Sequence, residues 1–273
     1  MSAGSVILIA CGGAAAGTLG ALLGLGGGVF LIPFLVLALD VPMHQAIATS
    51  IVAVIATSSA GAAMNVERGT VNIRLGMLLE IVTVAGALAG GITASYLDGT
   101  MLTKIFAILL FGISGAMAIG GRIAKRVENR DKATRTALSG EYFDDAVHTM
   151  VSYHVKNLPG TMVVSLIAGN ISGLLGLGGG IFKVPAMHLL SGIPMKAATA
   201  TSNFMIGVTA AAGAFIYLAE GHLNVHIAAP AALGVLAGSM LGVKLSRVLR
   251  AESVKWAFVI VLFAVAIQLL IRK

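Results

Sequence analysis

The pentapeptide Gly-Leu-Gly-Gly-Gly occurs twice, at Gly24–Gly28 and Gly176–Gly180, each time inside a long apolar stretch and with a proline five residues beyond its last glycine, at Pro33 and Pro185. Four glycines in five residues cannot continue an ordinary helix, because each costs roughly 1 kcal/mol relative to alanine in a helix interior. The chain must break at both places. Where lipid surrounds the backbone, a broken helix is tolerated only if it lines a cavity or is packed in protein. These two loops are therefore the expected functional centre, and the rest of the chain the scaffold that brings them together.

Lipid is the expected surrounding because 58% of the 273 residues are hydrophobic and only 11% are charged, with a mean hydropathy of +0.97, far from the averages of soluble domains. Long apolar runs without strand-like alternation predict an all-α polytopic membrane protein. The formal net charge of +7 does not point to nucleic acid, since the basic residues cluster beside apolar spans as on a cytoplasmic face. The single Cys11 excludes an internal disulfide. Its context resembles a lipoprotein cleavage site, but no basic residue precedes it and the apolar run is short, so the first segment is expected to remain in the mature protein.

Along the chain, residues 5–23 are apolar and rich in the small residues that allow close helix packing in lipid. Val29–Leu39, eleven apolar residues before Asp40-Val41-Pro42, is too short to span and reads as a half-helix, with Pro33 near its start. Longer apolar segments follow at Ala46–Met64, Ile73–Leu97 and Met101–Gly120. Residues 121–158 hold 12 of the 29 Asp, Glu, Lys and Arg residues and form a hydrophilic linker between a first repeat, 1–120, and a second, 159–273. Within the linker Phe143, Val147, Met150, Val151 and His154 recur at helical spacing, which fits an amphipathic surface helix, with a solvated connector as the alternative.

The second repeat follows the first at an offset of 152 without a gap, with 14 identities over the 27 positions Gly24–Ser50 and Gly176–Ser202. Prolines, a phenylalanine and a Thr-Ser pair match in register, so the chain is an internal duplication. Charge counting separates two topologies. If each half makes four crossings, the halves are parallel and 11 basic residues lie on the linker side against 6 opposite. If each broken segment instead dips in and returns, each half makes three crossings and the halves are inverted, with 14 against 3. The inverted arrangement fits the positive-inside pattern better, with the linker cytoplasmic.

Paired glycine-interrupted segments at matching places in two halves point to a transporter's binding site. A half-helix begins with unpaired amide hydrogens and the positive end of its dipole, here at Val29 and Ile181, and glycines let a ligand approach the backbone closely. A small anion is the expected guest, held by Gly26, Gly27, Gly28, Val29 and Phe30 in one loop and Gly178, Gly179, Gly180, Ile181 and Phe182 in the other. The hydroxyls of Thr49, Ser50, Thr201 and Ser202 and the amide of Asn203 either contact the ligand or hydrogen-bond between helices. Lys183, where the first repeat has Leu31, attracts the anion or else snorkels to the interface. A cation at a membrane-helix centre costs about 2.5–3.5 kcal/mol. Glu80 is the candidate for a coupling proton, with a partnership to Asn65 or an interfacial position as alternatives. His44 and His188 titrate or serve as structural hydrogen-bonders. The chain carries no enzyme constellation and no cofactor or metal signature.

The duplicated Gly-Leu-Gly-Gly-Gly-(Val/Ile)-Phe-x-(Ile/Val)-Pro, followed by Pro-Met and Ala-x-Ala-Thr-Ser, resembles the sulfite and organosulfonate exporter family, TauE/SafE. The resemblance covers almost everything but the linker. It implies a multi-pass permease of a bacterial or archaeal inner membrane that carries sulfur-containing anions such as sulfite or organosulfonates, by alternating access about the two loops. A passive anion channel, since glycine-rich loops also build filters, and a membrane-embedded sensor acting through the linker remain as the competing classes.

Overall fold

The computed structural model of the chain describes residues 3–23, 27–119, 138–144, 149–245 and 251–271. Among these residues the elements run α1 Ala3–Leu23, α2 Gly28–Leu39, α3 Met43–Glu67, α4 Ile73–Ser95, α5 Gly99–Ile119, a hairpin of β1 Gly140–Asp144 and β2 Thr149–Tyr153, α6 Leu158–Leu175, α7 Gly180–Leu189, α8 Met195–Ala219, α9 Val225–Leu245 and α10 Ala251–Ile271. Six of the helices, α1, α3, α4, α6, α8 and α9, are long and apolar enough to cross a membrane. The protein is an all-α polytopic membrane protein whose only described sheet is the linker hairpin.

The duplication is visible in backbone detail. The short helices α2 and α7 have 12 and 10 residues, about 18 and 15 Å long at 1.5 Å per residue, half of a crossing. Both are followed by a residue of left-handed conformation, Asp40 at φ 52° and its repeat-related Gly192 at φ 69°. Pro42 and Pro194 then start the next long helices with nearly equal angles, φ −55° ψ 142° and φ −54° ψ 139°.

Packing is exchanged between the halves. Helix α1 lies against α9, and α6 lies against α4. Gly17 and Gly169 occupy repeat-related places in these contacts: a Cβ on either would run into a carbonyl oxygen, of Val235 and of Thr83. Gly86 and Gly238 are likewise pressed against the carbonyls of Leu166 and Ala14. Residue numbers rise together along both pairs, so each pair is parallel. Small residues bring the backbones into contact where no hydrophobic effect drives helices together in lipid.

Between these pairs the repeat-related helices meet each other. Gly207 of α8 sits at Ser58 of α3, and Gly61 at Asn203, so α3 and α8 run antiparallel. Phe111 of α5 and Phe263 of α10, themselves 152 apart, meet with ring centres 4.8 Å apart and ring planes tilted by 37°. Helices α6 and α7 fold back on each other: Thr161 near the start of α6 shares a 2.6 Å hydrogen bond with Ser191, just beyond α7.

The amphipathic helix expected in the linker is not formed over the described residues. Gly140–Asp144 and Thr149–Tyr153 pair antiparallel, with Tyr142 opposite Val151 and Phe143 opposite Met150, and Val147 lies outside the described residues. Aromatic and β-branched residues suit a pleated surface, and alternation decides the faces. Tyr142 and Tyr153 turn inward and are buried, whereas Phe143 and Met150 are exposed. The tyrosines join one apolar cluster with Leu75 and Leu79 of α4, Met187 of α7, Ile193, and Ala197, Ala198 and Met205 of α8. Asn72 Nδ2 donates to the Leu138 carbonyl at 2.9 Å, and Lys196 Nζ lies 5.8 Å from the centre of the Tyr142 ring.

Candidate functional site

The two glycine loops meet. A Cβ on Gly28 would stand 3.0 Å from the Gly176 carbonyl oxygen, and Ser50 Oγ of α3 donates to that same oxygen at 2.9 Å. Val54, near the middle of α3, approaches both Gly28 and Gly178, and its repeat-related Ile206 on α8 approaches Gly178 and Gly180. The loops thus come together close to half the length of the long helices. In the second copy Gly176, Gly178 and Gly179 all have left-handed backbones, at φ 67°, 73° and 71°, a conformation that any residue with a Cβ resists. In the first copy Gly27 is right-handed, at φ −69°, and Gly26 lies outside the described residues.

The four hydroxyls differ in what they do. Ser50 clamps the second loop, as above. Thr201 accepts a 3.0 Å hydrogen bond from the backbone N–H of Asn72, which caps α4 by accepting from Leu75 N. Thr49 Oγ1 and Ser202 Oγ, by contrast, are wholly buried and have no hydrogen-bond partner among the described residues. Buried polar atoms rarely stay unpaired. Ser202 Oγ is 3.4 Å from where a Cβ on Gly180 would stand, at the start of α7. Asn203 is half-buried and faces Gly61 of α3. Val29 and Phe30, in the first turn of α2, line an apolar cavity with residues of α1 and α10, while Ile181 packs against the core and Phe182 is half-buried.

Lys183 is 1% exposed, which rules out snorkelling. A helical side chain leans toward its own N-terminus, and the Lys183 Cε accordingly lies 3.3 Å from the place of a Cβ on Gly179. The ammonium donates to Thr209 Oγ1 of α8 at 2.8 Å. Thr209 Oγ1 in turn donates to Glu80 Oε1 of α4 at 2.6 Å, and Glu80 Oε2 stands 3.9 Å from Lys183 Nζ. Glu80 is 7% exposed, and its Oε2 has no hydrogen-bond partner among the described residues. The partner of Glu80 is therefore Lys183 with Thr209, not Asn65, and Glu80 is interior rather than interfacial. His188 and His44 both bond backbone carbonyls, of Ile193 at 2.8 Å and of Leu97 at 3.1 Å.

By sequence Lys183 and Glu80 are separate candidates, and Thr209 is not among them. The signal for Thr209 was present: it lies two helical turns beyond Ser202 on one face of α8, at the place repeat-related to Thr57. The apolar layer under the hairpin tyrosines contains Leu79 beside Glu80, Met187 one turn from Lys183 and Met205 one turn from Thr209. The hairpin thus covers the charged cluster on the linker side.

A family model described as Sulfite exporter TauE/SafE matches residues 9–269. The chain is 28% identical over 274 residues to the probable membrane transporter protein YunE of Bacillus subtilis, covering 97% of each. It is 27% identical to a probable membrane transporter protein of Xylella fastidiosa, over 98% of this chain and 95% of the relative. With the probable membrane transporter protein MJ0441 of Methanocaldococcus jannaschii it shares 26% identity over 85% of this chain and 82% of the relative. No solved structure matches it. A match that runs through both repeats and the linker, on a fold whose two glycine loops touch inside a membrane bundle, makes the chain a member of the TauE/SafE sulfite exporter family of membrane transporters.

Proposed function

We propose that the protein is a secondary transporter of the cell inner membrane that exports small sulfur-containing anions, sulfite or organosulfonates, by alternating access about the two glycine loops, with Glu80 as the group that binds a coupling proton. The observation that carries this reading is the meeting of the two loops beside a buried cation and unpartnered buried hydroxyls. Ser202 brings a neutral donor to Gly180 at the start of α7, and Lys183 passes beside the neighbouring Gly179 with a positive charge, groups of the kinds suited to oxyanion oxygens. Metal ions and cofactors have no part in it.

The halves are inverted in this reading. Its support is the antiparallel contact of α3 with α8, the parallel contact of α1 with α9, and the return of α7 to the side from which α6 starts. Each half then makes three crossings, and the linker, Arg68, Arg74, Lys196 and Lys244 share the cytoplasmic side.

Thermal unfolding of the purified protein with sulfite, sulfate, thiosulfate, sulfoacetate and simple carboxylates tests the substrate class. A ligand at a hundred times its Kd stabilises by about 2.7 kcal/mol, so sulfite or sulfoacetate should raise Tm while a carboxylate of equal charge leaves it unchanged. Equal responses to every anion, or none to any, would refute the sulfur specificity.

A further inference from the structure

We propose that Lys183 exchanges partners during anion binding: the Glu80 carboxylate holds it in the empty site, and the arriving anion replaces that carboxylate as Glu80 takes up a proton. The inference rests on the anion-transport reading and specifies how charge is handled at its site.

The geometry is that of a loosely held pair. Charge-assisted N–H···O bonds run at about 2.7–2.9 Å, yet the lysine-to-carboxylate distance is 3.9 Å and the link is made through Thr209. Lys183 Nζ, with three donors, makes its one described hydrogen bond to that hydroxyl. Glu80 Oε2 makes none among the described residues. Buried ion pairs are weak stabilisers even when fully hydrogen-bonded, so a pair left with spare donors and a bare acceptor is a poor structural device. It is well suited to partner exchange.

The charge balance closes at each step. Before binding, the lysine cation and the glutamate anion sum to zero. After binding, the lysine cation and a monovalent guest sum to zero, and Glu80 is neutral with the added proton on its carboxyl. Neither state buries a net charge, which low-dielectric surroundings penalise heavily. Thr209 is the positioning residue, able to keep a hydrogen bond to Lys183 in both states.

Other ionisable groups on the packed elements are engaged elsewhere. Helix α6 has none. On α8, Lys196 is at the Tyr142 ring and Tyr217 donates to the Leu174 carbonyl. On α7, His188 is at the Ile193 carbonyl, and on α4 Arg74 is exposed. Proton uptake on binding is therefore assigned to Glu80.

The test is calorimetry of the full-length protein with methanesulfonate, which stays ionised across neutral pH, in two buffers of different ionisation enthalpy. Wild type should take up one proton per anion bound, and its affinity should fall about tenfold per pH unit where Glu80 is ionised in the empty site. Glu80→Gln should bind without proton uptake and with a flat pH profile. The neutral pair Lys183→Leu with Glu80→Ala, which copies the repeat-related residues Leu31 and Ala232, keeps the test open if Glu80→Gln fails to fold; it should bind no methanesulfonate. Binding by wild type with no proton uptake, or undiminished uptake in Glu80→Gln, overturns the exchange and leaves anion transport standing. A wild type that binds no methanesulfonate overturns the exchange as written, and the ligand screen above then shows whether the transport reading falls with it.

Discussion

Lys183 and Thr209 of the second repeat meet Glu80 of the first at one site, and the repeat-related positions are Leu31, Thr57 and Ala232. The two regions share helix breaks, flanking prolines and long-helix starts, yet one is charged and the other apolar. Leu31 is fully buried and Ala232 packs against the same core. Thr57 turns its hydroxyl back to the carbonyls of Ala53 and Val54, whereas Thr209 bridges two charged side chains. Glu80 reaches the second-repeat site because α4 packs against α6 and α8. The duplicated backbone provides two equivalent frames, and exchange of helices between halves lets one frame collect a charge from each.

The sharpest way to break the comparison is to remove one charge. Lys183→Leu leaves a buried carboxylate unpaired and should lower stability by about 3–5 kcal/mol, whereas adding Glu80→Ala should restore most of it, as read by thermal unfolding in detergent. If the double variant is no better than the single, the two groups are not a pair.

Next in size are the repeat-related helix contacts. Gly17→Leu and Gly169→Leu each force a side chain into a facing carbonyl and should cost at least about 1–3 kcal/mol. Similar losses for both would sustain the equivalence of the frames, and a large difference would deny it.

Smaller again is the contrast of the serines. Ser50→Ala loses the clamp on Gly176 and should cost about 1 kcal/mol. Ser202→Ala removes a hydroxyl that has no partner among the described residues, so stability should hold while anion affinity falls. The smallest effect is expected at the twin positions His44, which stacks on His222, and Lys196, whose ammonium lies over the Tyr142 ring. Lys196→Ala should cost about 0.5–1 kcal/mol and leave anion affinity in place, unlike Lys183→Ala, as flux into proteoliposomes can check.

The linker shows where sequence periodicity misleads. Phe143, Met150 and His154 fit a helix by spacing, but they equally fit two strands, and the pattern carries no information about what lies above it. Burial of Tyr142 and Tyr153 against α4, α7 and α8 selects the hairpin. Lys183 was legible as an exception within the repeat, and so was Glu80 as an ionisable group in an apolar segment. Their mutual distance was not, because it depends on how α4 and α7 are placed, not on either stretch.

The sequence by itself determined the membrane class, the two breaks and the duplication. Those follow from local chemistry: glycine adopts without steric cost the left-handed backbone of Gly178 and Gly179, and apolar runs of sufficient length select lipid. Tertiary structure alone decided that the loops touch, that α1 crosses to α9 and α6 to α4, and that Lys183 meets Glu80 through Thr209. Such contacts join residues far apart in the chain, and side-chain packing across helices fixes them where local conformational preference has nothing to say.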